Sequence, residues 1–402
     1  MTIPSWLKGG SVQGTSRLVL IACILSTFLA WQHPLAAEDK IPGPSLNNGE
    51  KWRIGYYEGG PWQDYQESLR VTVKGLMDRG WIEREPIPAI PLSDQPSSRP
   101  LWDWLATSIN SRYIEFVADA FWTADWMEDK RPDVRKDCLQ HLRERDVDLI
   151  LAMGTWAGRD LANDLHSIPT MVMSTTDAVQ SGIIKSAEDS GFDHLHARCD
   201  PTRHHRQIRL FHDIFRFKTI GVVYNDQDPD GRVLSHLDKL EQIGRERGFS
   251  VVSCKTPNAM KSMEVALDEY RGCVSTLAPR VETFYLSDLR GTEPDFLWET
   301  IQPLIKHKVP TWSARGSKLV ERGALISVAK ENFNFLAPFY SSVIARIFNG
   351  TKPRDIPQIV REEMRLAINM ETARRIGYQF PPNVMKVADI VYDDIEIPVA
   401  AP

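Results

Sequence analysis

The densest group of metal-binding side chain types in the sequence is His194, His196, Cys199, His204, His205 and His212. Imidazole and thiolate suit zinc or copper. No carboxylate is spaced to orient these rings, and the intervals match no standard zinc module. His204 and His205 are expected to open an amphipathic helix in solvent. Asp226, Asp228 and Asp230 bunch in one turn, but the glutamate that a calcium loop needs at its twelfth position is missing. They read as an acidic turn before a helix N-terminus, where the macrodipole favours negative charge. No GxSxG, HExxH or phosphate-binding loop occurs. The expectation is therefore no metal, no cofactor and no catalysis. A secreted metal-dependent enzyme built on the histidines is the alternative.

Residues 147–177, VDLILAMGTWAGRDLANDLHSIPTMVMSTTD, offer binding chemistry instead. The apolar run 147–153 has the pattern of a strand buried on both faces of a parallel sheet. Gly154 and Thr155 break it. Trp156, Ala157, Leu161, Ala162 and Leu165 then recur at helical spacing, and 170–173 reads as the next strand. This is a βαβ unit, right-handed by rule, and ligands of such sheets bind beyond the carboxyl ends of the strands. Thr155 and Thr176 stand at those ends, and the helix start adds free N–H groups. Asp177 follows, where it either meets a ligand or fixes the crossover. Trp62 and Trp122 also follow strand ends and could stack on a flat ligand; Trp52 and Trp81 read as core.

The remaining chain supplies elements that place such turns. Strands are expected at 53–57, 113–121, 219–224, 249–253, 281–286, 309–312, 366–369 and 388–392, with 323–329 leading back to a first lobe. Helices alternate with them, and 182–200 reads as a crossover without periodicity. Residues 86–100, rich in Pro and Ser, form a surface excursion. The pattern gives two consecutive sets of β/α units.

At 402 residues the chain exceeds one ordinary domain. Lys8 and Arg17 precede an apolar run at 18–31, then small residues up to Ala37, as in a secretory signal cut after Ala37. The run is shorter than the ~18 apolar residues of a spanning helix. A lipid anchor at Cys23, after Leu20-Ile21-Ala22, is the alternative. Cleavage removes two bases and no acid, taking the formal net charge from −5 to −7; a nucleic-acid partner would call for a basic face. Cys138, Cys199, Cys254 and Cys273 remain, and their spacing selects no pairing. Residues 38–51 are expected to be a disordered leader.

The segments VDLILAMGTWAGRDLAN, IPTMVMSTTDAVQSGII, TIGVVYND and LAINMETARRIGYQFPPNVMKVADIVY resemble the solute-binding proteins of ABC transporters, in the branch with tryptophan- and tyrosine-binding members. The resemblance implies an α/β fold of two Rossmann-like lobes with helix-flanked parallel sheets and a multi-segment hinge, as in type I periplasmic binding proteins. Lobe 1 would span 52–180 with about 330–355, and lobe 2 would span 181–327 with about 360–395. It further implies a periplasmic monomer that closes on a small solute, aromatic or amino-acid-like, and delivers it to an inner-membrane permease. A ligand-sensing module for a membrane receptor shares these features. By position the cleft would be lined by Glu58, Gly59, Thr155, Thr176 and Asp177 from lobe 1. Lobe 2 would add Asn225, Asp230, Ser287, Asp288 and Ser313. The family often has Asn-Ser where Asp230-Gly231 stands, and Thr-Asp-Asn where Ser287-Asp288-Leu289 stands. An added carboxylate would repel a ligand carboxylate and so disfavour an ordinary amino acid.

Overall fold

The computed structural model describes residues 41–88, 97–228, 230–259, 261–329, 332–361 and 364–397. The export segment, the residues around Cys23 and the middle of the 86–100 excursion lie outside the described residues. Among those described, twelve strands form two sheets, β1 (Trp52–Glu58) to β5 in one and β6 to β12 in the other.

In the first sheet β1 is flanked by β2 (Ile114–Thr123) and β3 (Leu149–Met153), followed by β4 (Thr170–Met173) and β5 (Leu195–Ala197), and every pairing is parallel. All residues of β3 and β4 are buried, as their unbroken apolar sequence requires. β5 lies within the stretch expected to be a crossover. It has only three residues, too few to display a period, and it pairs with β4 through Thr170, Met171 and Val172.

The second sheet runs β12-β11-β10-β9-β8-β6-β7. Its strands are β6 (Thr219–Tyr224), β7 (Ser250–Lys255), β8 (Thr283–Leu286), β9 (Thr311–Ser313), β10 (Ile326–Ala329), β11 (Arg365–Asn369) and β12 (Ile390–Tyr392). Alternation along β6 splits the core in two. Ile220 and Val222 pack with Ile208, Phe211 and Leu240 on one face, while Val223 packs with Val274 and Leu277 on the other. The segment 323–329 does not lead back to the first lobe. Its strand, β10, pairs parallel with β9 and antiparallel with β11.

The return to the first lobe comes one element later, through the helix Ala337–Phe348, which packs on the helix Gln63–Asp78. Gly75 makes that approach possible, because a Cβ there would overlap the Ala337 carbonyl. Residues 41–51, expected to run free, are held at the same helix. Asn349 Nδ2 donates to Gly43 O (3.2 Å), Trp52 Nε1 donates to Ser45 O (2.8 Å), and Trp52 stacks on Phe348 at 4.4 Å. Where the chain crosses between sheets, Cys199 N donates to Gln358 O (2.9 Å) and Val360 N to Cys199 O (3.0 Å). The disulfide joins Cys254 on the edge strand β7 to Cys273 on the helix Met263–Leu277, leaving Cys138 and Cys199 as buried thiols.

Candidate solute-binding cleft

A cavity of about 260 Å³ lies where the carboxyl ends of both sheets meet. Each of β1 to β9 sends a following turn to it. Trp62, Trp126, Thr155, Thr176 and Arg198 come from the first sheet, and Asn225, Thr256, Asp288 and Arg315 from the second. This is the strand-end placement that open α/β sheets favour for ligands.

Gly154 makes the first turn possible. It has φ +79°, and a Cβ there would overlap Tyr65 Oη. Thr155 behind it lines the cavity and is 7% exposed. Asn225 Oδ1 accepts from Gln227 N (2.9 Å) and Asp228 N (3.3 Å), which folds the turn that brings Asp228 and Asp230 to the cavity. Asp230 Oδ1 meets Arg159 Nη2 of the opposite lobe at 2.6 Å. Burial, partly offset by Arg159, raises the Asp230 carboxyl to about 6. Asp288 is paired with Arg315 Nε at 3.0 Å.

Of the twelve residues singled out in the sequence, Trp62, Thr155, Thr176, Asn225, Asp230 and Asp288 line the cavity; the other six lie elsewhere. Glu58 is fully buried with Oε2 2.7 Å from Tyr56 Oη, and burial pushes its carboxyl up to about 8. Gly59 is a seat for tryptophans: a Cβ would come within 2.9 Å of the Trp126 ring and of Trp156 Cβ. Trp122 turns into the core, and its indole donates to Asp137 Oδ2 at 2.8 Å. Asp177 Oδ1 accepts from Val179 N and Gln180 N, and Oδ2 pairs with Lys239. Ser287 Oγ donates to Val223 O (3.1 Å), and Ser313 Oγ accepts from Arg315 N (3.0 Å).

Five basic side chains of the lining escaped the sequence reading: Arg198, Arg203, Arg290, Arg315 and Lys318. Arg198 follows β5, the unanticipated strand. Arg315 follows β9, which ends one residue later than expected. The same rule that selected the hydroxyls would have found both, given the correct strand ends. Trp126 was also missed. Its N–H bonds Gly59 O (2.9 Å) and its indole bonds Pro61 O (2.8 Å), so its ring is fixed beside that of Trp156, 5.4 Å away.

The histidines do not converge. His194 packs against His166 and His196 against Phe339. His204, expected in solvent, is buried and stacks on His236 at 3.6 Å. Its partner lies in a turn 32 residues away, which helical periodicity does not reveal. Burial holds both rings well below the ordinary histidine value.

The family model described as "ABC transporter substrate binding protein" matches residues 129–392, which include most of the elements framing this cleft. The chain belongs to the ABC transporter substrate-binding protein family. Among its relatives, the curated tyrosine-binding protein of Clostridioides difficile (strain R20291) is 22% identical over 240 residues, 58% of this chain. That match spans 64% of the relative's own length. Two solved structures share the fold. A conserved domain protein from Vibrio cholerae is 17% identical with a TM-score of 0.64, covering 85% of this chain and 100% of that one. The ABC domain from Streptococcus pneumoniae in complex with L-Trp is 18% identical with a TM-score of 0.61, covering 84% of this chain and 99% of that one. In this substrate-binding protein, then, the cross-lobe contacts at the cleft include Arg159 on Asp230 and Arg315 stacked over Trp62 at 4.9 Å.

Proposed function

We propose that this protein is the solute-binding component of an ABC transporter, capturing a small organic solute between its lobes by hinge closure. The observation that carries the reading is the cavity built from the turns after nine strands of two sheets. Polar groups of the solute would meet Thr155, Thr176 and Asn225, and its flat or apolar body would meet Trp62. Arg159–Asp230 and Arg315–Trp62 would form on closure, so affinity is coupled to the open–closed equilibrium. The remaining parts of the proposal are export by the segment up to Ala37, residence in the periplasm as a monomer, and delivery to an inner-membrane permease. The second lobe would start near residue 200 rather than 181, because β5 pairs with β4.

Relatives named for tyrosine binding and crystallised with L-Trp make aromatic solutes the first to test. The experiment is a thermal-shift screen of the exported protein against a broad solute library, followed by X-ray scattering with the hits. A hit that raises Tm and contracts the scattering profile is expected. Failure of every solute class to do either would refute the proposal.

A further inference from the structure

We propose that Lys239 clasps the two lobes together from outside the cavity, so that the closed form is populated before a solute arrives and this contact sets part of every solute's affinity; the inference rests on the solute-binding reading. Lys239 stands on the helix Leu237–Arg247, whose Leu237, Leu240 and Ile243 pack with Ile220 and Val222 of β6. Its side chain crosses to the other lobe. Nζ pairs with Asp177 Oδ2 and donates to Gln180 Oε1 at 2.6 Å, both in the turn after β4. Beside it, Gln180 Nε2 donates to Asp238 Oδ2 at 2.9 Å. None of these four side chains lines the cavity, so the contacts need no solute to form.

Lys239 is 7% exposed and the Asp177 side chain 12%. Taking both charges out of water is costly, and the structure lowers the cost of bringing them together. Asp177 Oδ1 accepts from Val179 N (3.1 Å) and Gln180 N (2.9 Å), so its own turn holds the carboxylate in place. Arg232 Nε holds Asp238 at 2.9 Å within the second lobe. Groups fixed on each lobe separately lose little freedom when they meet. The clasp is also tied to the cavity wall. Arg159 Nε donates to Ser181 O (2.8 Å), next to Gln180, while its Nη2 reaches Asp230. The clasp and the cavity contact therefore close together.

Opening returns Lys239 and Asp177 to water. Removing the lysine alone leaves Asp177 to be desolvated on closure without the lysine's charge, which penalises the closed form and not the open one. A solute's apparent affinity scales with the fraction of protein competent to hold it, so the penalty falls equally on every solute. A residue of the cavity wall would act on some solutes more than others.

The test is calorimetric titration of the exported protein, Lys239→Met and the double variant Asp177→Asn/Lys239→Met with several unrelated hits from the solute library, and X-ray scattering of each protein without solute. Lys239→Met is expected to weaken every solute by one common factor of about ten and to expand the solute-free profile. The double variant buries no unpaired carboxylate and keeps an acceptor for Val179 N and Gln180 N, so it should recover most of the affinity. Gln180→Ala, which spares the ion pair, should give a smaller common weakening and carries the test if Lys239→Met does not fold. A lowered Tm with unchanged affinities would make the contact a static brace and overturn the inference. Losses that differ from solute to solute, or a double variant no better than the single one, would overturn it too. A solute-free profile identical in wild type and Lys239→Met overturns the clasp alone, whereas no solute binding to wild type overturns the solute-binding reading with it.

Discussion

Replacing Arg159 with Met tests the cross-lobe ion pair. Arg159 Nη2 lies 2.6 Å from Asp230 Oδ1, with the two side chains 28% and 2% exposed, and Arg159 Nε donates to Ser181 O at 2.8 Å. Without the guanidinium, the buried Asp230 carboxyl escapes an unpaired charge by taking a proton. Protonation therefore caps the electrostatic cost. With the wild-type carboxyl titrating at about 6, ionisation at pH 7 recovers about 1.4 kcal/mol, and the variant loses that amount. The hydrogen bond to Ser181 adds about 1 kcal/mol. The expected loss is about 2–3 kcal/mol at pH 7. It should fall to about 1 kcal/mol at pH 5, where the carboxyl is protonated in both proteins, and grow toward pH 8. Asp230→Asn should cost less at pH 7, because Arg159 reaches water. The double variant should be no less stable than Arg159→Met alone. Urea unfolding at pH 5, 7 and 8 measures all three. A loss independent of pH, or Asp230→Asn matching Arg159→Met, would refute the reasoning.

Glu58 titrates at about 8 in the fold against an ordinary 4.5, so its protonated form is the one stabilised, and stability is lost as pH rises through 8. Wild type should lose about 2–3 kcal/mol from this group between pH 6 and 9; Glu58→Gln should not, as paired denaturation curves would reveal. Gly154→Ala forces a methyl against Tyr65 Oη at φ +79°. A loss of about 2–3 kcal/mol, with weakened binding at Thr155, is expected in melts and titrations; a neutral result would contradict the turn geometry. Cys254→Ser opens a bridge across a sequence separation of 19 and should cost about 3 kcal/mol, with reductant then having no further effect on the melt.

The alternation of apolar runs and helical stripes was enough to read two β/α lobes, and the strand-end rule reached Thr155, Thr176, Asn225, Asp230 and Asp288. What it missed follows from strand boundaries and parity. β5 is too short to show a period, which hid Arg198. A one-residue error in the end of β9 put Ser313 forward in place of Arg315. Trp122 sits in β2 opposite Tyr57, beyond a register shift between Ile54 and Tyr56; such an irregularity changes which face a residue takes and leaves no mark in composition. Ser287 turns back to a buried carbonyl, a choice between backbone and ligand that residue type alone does not settle. The expected repulsion from the acidic turn took no account of the cations that face it. Arg159 and Arg315 neutralise Asp230 and Asp288 from 71 and 27 residues away, distances over which local sequence carries no signal.

The central claim is tested most directly by a crystal structure of the protein with the tightest-binding solute from the screen. The account requires electron density for that solute between Trp62 and Thr155 of one lobe and Asn225 and Arg315 of the other. Density on an outer surface, with this cavity empty or filled by side chains, would contradict it.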